Sequence, residues 1–350
     1  MQKLILILLA VLLFSCKNKQ YGVEQKIFDR IEFVYNLKQT VDENYWKTFN
    51  DKEFDLPLIY FTDTSSYIAN PTVKFLKTFK SDLVFEEGNL KIFKTRNRVD
   101  SLPFHMETGM TLGDPTDEYN YHSPFMKCSS YEEVFKTIPK VLSTEEWTTM
   151  IMHEYFHGFQ YKHKSYINFY EKNIVQIQPD SLTSIYKNNQ WFKTSIDNEN
   201  QFLLKAIAEK DSSKTKQLID SFFDLRTQRR KAVSEKLKLN IGQYEKCYET
   251  MEGTARYIEF SLYNNYATRR PSYKLLQSDT SFKSFNKFRK YNIEQDKWLY
   301  LTEKTIYFYA IGFNMARLLD KLNIDYKSRL FNEGKLTLED ILNAQQKNNR

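Results

Sequence analysis

Two imidazoles and a carboxylate stand together in the segment His153-Glu154-Tyr155-Phe156-His157. On an α-helix, His153 and His157 project from one face and can hold one metal ion between them, with Glu154 beside it. The arrangement suits hydrolysis, because a zinc ion acidifies a bound water and a neighbouring carboxylate can take the proton. The competing reading is an ordinary helix carrying two histidines. With only 5 His in 350 residues, chance produces this spacing in on the order of one chain in a few hundred.

A helix must start just before the motif to present it. Ser143 can act as N-cap, with Glu146 completing a capping box, and Thr144, Glu145 and Glu146 suit the positive end of the helix dipole. The helix is therefore expected to begin near residue 144. Trp147, Met150, Ile151, Tyr155 and Phe159 recur at helical spacing, which predicts one buried side with His153 and His157 along its margin. Gly158 follows the second histidine, where a missing side chain lets another element approach closely.

A catalytic zinc site takes three protein ligands and keeps one position open. Two residues compete to be the third. His163 reproduces the spacing of the metzincins, but that pattern needs a glycine where this chain has Gln160. Without the turn, a continuing helix carries His163 about 9 Å further along the axis, out of reach. Glu252 lies in Tyr248-Glu249-Thr250-Met251-Glu252-Gly253-Thr254-Ala255-Arg256-Tyr257. There Tyr248, Met251, Ala255, Ile258 and Leu262 form an apolar stripe with Glu252 at its border. The small Gly253 and Ala255 would let this helix lie close against the motif helix. Glu249 and Glu259 are the other candidates, and either reads equally as a surface carboxylate.

In the segments His153 to Gln160 and Glu252 to Tyr257, and in the order of its elements, the chain resembles the gluzincin group of zinc metallopeptidases. The resemblance implies an α+β, zincin-like fold, mainly helical with a small mixed sheet before the active-site helix. It implies Zn²⁺ held by His153, His157 and Glu252, with Glu154 as the catalytic base for peptide-bond hydrolysis. Glu252 follows His157 by 95 residues, which implies a helical insertion. An oxyanion donor is also required, and Tyr307 and Tyr309 are the candidates. In such peptidases an edge strand pairs with the extended peptide substrate. Here the edge is expected within residues 102 to 127, where His105 and His122 are either substrate contacts or ordinary polar groups.

The remaining elements follow from periodicity and turn chemistry. Residues 22 to 50 read as helical, with Ile27, Ile31, Phe33, Val34 and Leu37 as core candidates. Strands are expected at Leu56 to Thr62, around Leu90, Ile92 and Phe93, and at Leu102 to Met106, with an extended run from Tyr119 to Lys127 interrupted by Pro124. Pro71 opens a helix toward Phe79. Further helices are expected near 200 to 210, 214 to 239, 243 to 265, 302 to 322 and 337 to 347, with loops at 187 to 200 and 264 to 281.

Residues 1 to 15 have a lysine at position 3 and a short apolar run, as in a secretory signal, and are too short to span a bilayer. Leu13-Phe14-Ser15-Cys16 resembles a bacterial lipobox, which implies lipidation at Cys16 and a polar tether over residues 16 to 21. The expectation is a metallopeptidase domain over residues 22 to 350, exported and held at the cell envelope by its lipid, at the outer membrane if the organism is Gram-negative. The formal charge of +7 is dispersed over 51 Lys+Arg and 44 Asp+Glu, so nucleic acid is not an expected partner. Cys128 and Cys247 lack zinc-ligand spacing and either pair or remain free thiols. The 27 Phe and 24 Tyr against 9 Gly reflect coding bias rather than a binding surface. Two alternatives stand beside the peptidase: a binding or scaffold lipoprotein with a degenerate, metal-free site, and a zinc hydrolase of a non-peptide amide.

Overall fold

The structure, a computed structural model, describes residues 22–77, 79–96, 99–111, 123–175 and 177–348. The signal segment, Cys16 and His122 lie outside these residues. Among the described residues no helix is long and apolar enough to cross a membrane.

The chain opens with helix α1 (Val23–Asn44), whose Ile27, Ile31, Phe33, Val34 and Leu37 are all buried. It then enters strands β1 (Leu58–Phe61) and β2 (Ser66–Ala69), the short helix α2 (Val73–Leu76), and strands β3 (Asp82–Glu87), β4 (Leu90–Thr95), β5 (Met106–Gly109) and β6 (Phe125–Ser129). These strands form one sheet in the order β3-β4-β2-β1-β6-β5. Strands β1 and β6 are parallel and every other pair is antiparallel. The sheet is therefore mixed, and all of it precedes the motif helix.

The rest is helical: α3 (Tyr131–Thr137), α4 (Thr144–Lys162), α5 (Lys164–Asn173), α6 (Pro179–Asn188), α7 (Gln190–Ala208), α8 (Ser212–Leu237), α9 (Gly242–Thr268), α10 (Tyr273–Ser278), α11 (Lys297–Tyr300), α12 (Tyr307–Lys321) and α13 (Leu338–Asn348). The fold is thus α+β and mainly helical. One buried hydrophobic cluster runs from Ile27 to Leu342 and joins the sheet to the helices.

Helix α4 carries the motif and packs against β5, β6, α1 and α9. It is buried almost all round, not on one side as its apolar periodicity suggests. Polar residues on the other faces make this possible, because Thr148, Thr149 and Gln160 all bond to helix α9. The Ser143 hydroxyl accepts from Glu146 N–H at 3.3 Å, but the Glu146 carboxylate reaches back to Leu142 N–H at 2.7 Å, one residue before the capping-box position. The helix start is anchored further by Asp279, which accepts from Thr144 Oγ1 at 2.6 Å and is paired with the buried Arg30. Farther along, Tyr155 bonds Leu56 through both backbone groups, and a Cβ on Gly158 would sit 2.0 Å from Leu56 Cδ1. The motif helix thereby fixes the segment that feeds β1.

Several sequence expectations shift. The run 187 to 200 is mostly helix α7, because Phe192 and Ile196 are buried and Asn200 bonds Tyr300 O and Asn314. Tertiary hydrogen bonds there override the poor helix propensity of Asn and Asp. Helix α9 runs on to Thr268, and α10 interrupts the expected loop at 264 to 281. The strand expected at Leu102 starts only at Met106, after Pro103, which has no N–H to give a ladder. The helix after Pro71 is only four residues long.

Candidate metal centre

The imidazoles of His153 and His157 meet with their Nε2 atoms 3.1 Å apart. Glu252 arrives from α9, with Oε2 3.2 Å from His157 Nε2 and 3.4 Å from His153 Nε2. Three donor atoms from two antiparallel helices thus converge on one point, and Glu154 stands beside them, its ligand atom and those of the two histidines all within 4.8 Å of one another. Sequence-selected His153, Glu154, His157 and Glu252 are brought together.

The outer nitrogens of the two rings show which atoms face that point. His153 Nδ1 is bonded to a carboxylate oxygen of Glu259, so this nitrogen carries the proton. His157 Nδ1 lies 2.9 Å from Gln160 Oε1. The amide orientation of Gln160 is fixed in turn, because its Nε2 donates to Met251 O and Thr254 Oγ1, both at 2.9 Å. Both rings therefore spend their N–H outward and turn a lone pair inward, the tautomer a metal ligand needs. Glu252 Oε2 is buried without a hydrogen-bond partner, a costly state that a bound cation relieves. The donor set, two neutral imidazoles and one carboxylate with a further carboxylate adjacent, fits a divalent ion of the zinc type.

Charge at the site points the same way. Burial works against a charged His153, but Glu259 and Glu252 outweigh it and hold its pKa up at about 10, so without a cation the inward nitrogen takes up a proton that a bound metal would displace. His157 is raised for the same reason, with Glu252 as the main opposing charge. Burial alone would raise Glu252, yet His157 and His153 bring it well below the ordinary carboxylate range. The pocket is built to hold positive charge. Burial lifts the Glu154 carboxyl above the ordinary carboxylate value, partly offset by His157 and His153.

Helix α9 reaches the site through a crossing that the sequence assigned to the wrong neighbour. Gly253 abuts helix α12, not α4: a Cβ on Gly253 would lie 2.4 Å from Gly312 Cα, and one on Gly312 would lie 1.7 Å from Glu249 O. The close approach brings Tyr309, one turn before Gly312, beside the candidate ligands. Its ring lies nearly parallel to that of His153, with centroids 6.0 Å apart. Burial and then Glu252 raise its hydroxyl far above its usual pKa, so it remains a proton donor. The other candidate, Tyr307, is elsewhere, donating to Glu245 at 2.8 Å. Arg256, one turn past Glu252, supports Tyr309 with its guanidinium 4.6 Å from the ring centre.

Beside these groups opens a cleft of about 520 Å³ that includes His153, Glu154, Glu259 and Tyr309. Strand β5, at the end of the sheet, supplies Met106 to its wall and pins itself to the motif through Thr108 Oγ1, which donates to Glu154 O. The expected edge is therefore present at residues 106 to 109.

Other candidates fall away from the site. Helix α4 ends at Lys162, and His163 turns off, stacking on Phe54 with centroids 4.6 Å apart and bonding Phe159 O at 2.8 Å. Glu249 is no surface group but grips the buried Arg226 through two contacts. His105 is buried against Phe61 and bonded to Asp100 at 2.7 Å. Cys128 and Cys247 are separate buried thiols, the latter pushed up to about 12 by burial. Sequence reasoning missed Glu259 and Gln160 as the groups that orient the histidines. The available signal for Glu259 was its position two turns from Glu252 on the same helix face. No family model, curated protein or solved structure matches this chain.

Proposed function

We propose that the protein is a zinc-dependent peptidase of zincin-like architecture, with His153, His157 and Glu252 as ligands and Glu154 as general base. The observation that carries this reading is the convergence of three inward-facing donor atoms, with the second nitrogen of each histidine already committed to an oxygen. When bound, zinc supplies Lewis acidity, lowering the pKa of a water and polarising a substrate carbonyl.

The chain's own groups would do the rest. Strand β5, the last strand of the sheet among the described residues, offers its edge to an extended peptide, a mode that gives affinity through backbone pairing. Glu154, raised by burial, accepts the proton of the attacking water and returns it to the departing amine. The Tyr309 hydroxyl, kept protonated, donates to the oxygen on which charge develops. Glu259 and Gln160 hold the two imidazoles in one tautomer through the cycle. The lipobox resemblance around Cys16 extends the proposal to an exported enzyme tethered at the cell envelope.

Digestion of a mixed peptide library tests the reading. Wild type is expected to cut internal or terminal peptide bonds, and Glu154→Gln to retain metal while losing about 10²–10⁴-fold in turnover. Undiminished hydrolysis by Glu154→Gln would refute the assignment of the base. A metal-loaded wild type that cleaves no peptide would refute the peptidase.

A further inference from the structure

The cleft beside the metal ligands runs between the N-terminal half of α4 and the C-terminal half of α9. Its walls are mostly apolar or aromatic: Met106, Val141, Met150, Tyr263, Phe288 and Trp298. Of the charged groups that line it, Glu146, Lys287 and Glu259 are already paired, and Glu154 lies at the end beside the two histidines. Glu146 is paired with Lys287 and accepts from Leu142 N–H, and Glu259 is taken by His153. Asp296 is half-buried, and burial raises its carboxyl above the ordinary carboxylate value. Lys140 sits at the rim, exposed to water. A charged occupant would lose hydration against mostly apolar walls, whereas an apolar one would bury its surface against them. Trp298 is such a wall: the Arg256 guanidinium lies 4.7 Å from its ring centre and donates to its carbonyl at 2.7 Å. Met150 precedes His153 by one helical turn, so a side chain in this cleft belongs to a residue close to the scissile bond.

We propose that this cleft selects a large apolar or aromatic residue flanking the scissile bond, and that Met150 and Trp298 set the preference. The proposal rests on the peptidase reading and names the substrate class of that site. A peptide paired with β5 would alternate its side chains above and below the strand, so one side chain at a time can point into the pocket. Such a pocket discriminates modestly by size, one missing methylene being worth roughly 10-fold and at most about 200-fold in specificity.

The full chain, loaded with zinc, is assayed on peptides that vary at single positions around the cut. Phe, Tyr, Leu or Met at one flanking position is expected to exceed Ala, Lys and Glu there by at least roughly tenfold in kcat/KM. Met150→Trp, which fills the pocket, is expected to lower kcat/KM through KM for the large residues more than for the Ala peptide, narrowing the large-to-Ala ratio. Met106→Trp fills the pocket from the strand side and serves as a second variant, with zinc content reporting that each has folded. Cleavage that needs Glu154 but shows no flanking preference, or one for charged residues, overturns the pocket alone. An unchanged large-to-Ala ratio in both folded variants does the same. Absence of any cleavage overturns the peptidase and the pocket together.

Discussion

A backbone carbonyl ultimately sets the chemistry of His157. Met251 O and Thr254 Oγ1 hold the Gln160 amide nitrogen, which turns its oxygen to His157 Nδ1 and leaves Nε2 free to ligate. Replacing Gln160 with Leu removes the acceptor but keeps much of the volume. Metal affinity is expected to fall about 10–100-fold, measured by competition with a chromophoric chelator; unchanged affinity would show that the hydrogen bond does not prepare the ligand. The residues proposed as ligands and base were legible in the sequence as a cluster, because such chemistry demands fixed spacing or a carboxylate on a second amphipathic helix. Gln160 and Glu259 were not, since their partners are brought near only by the antiparallel packing of α4 on α9. Gln160 carried half its message at the sequence level: by standing where a metzincin needs glycine, it disfavoured His163, which the structure turns toward Phe54.

At the scale of elements, the α9–α12 crossing decides where Tyr309 and Glu252 stand. Gly253 and Gly312 leave no room for a side chain on either helix. Gly312→Val is expected to cost at least about 1–3 kcal/mol in urea unfolding, the usual range for overpacking, and to lower turnover by displacing Tyr309. A neutral effect on both would mean the crossing is looser than its geometry. The helices themselves were largely readable, from Ser212–Leu237 to Leu338–Asn348, because their stripes are long and periodic. Strands β2 and β3 escaped, one being only four residues long and the other lacking a buried face. Helix α7 was mistaken for a loop over its first half, since Asn198 and Asn200 suggest a turn until Tyr300 and Asn314 supply the partners of Asn200.

Across the whole molecule, the helices behind the proposed metal site are joined by buried charge. Arg226, Arg229 and Arg230 interlock with Glu199, Glu245, Glu249 and Glu339, linking α7, α8, α9 and α13. Burial pushes the Glu245 carboxyl up, but Arg229, Arg230 and Arg226 outweigh it and bring it down to about 2. Glu339, against Arg226 and Arg230, is likewise brought down to about 2. Because both are depressed in the folded state, their stabilisation is complete above the ordinary value of 4.5 and is lost as pH falls toward about 2. The urea midpoint of the full chain is expected to drop across that window. Glu339→Gln should flatten the dependence there while lowering stability near neutral pH by about 3–5 kcal/mol, since it leaves buried arginine charge unmatched. A midpoint flat from pH 5 to pH 2 in wild type would contradict this.

This charged scaffold presents Glu252 to the two histidines, and the account depends most on that convergence. The direct measurement is zinc stoichiometry of full-length protein purified without chelators, in wild type and in Glu252→Ala. The expected result is close to one zinc per chain in wild type and far less in Glu252→Ala. Wild type with much less than one zinc, or Glu252→Ala with an undiminished complement, would contradict it.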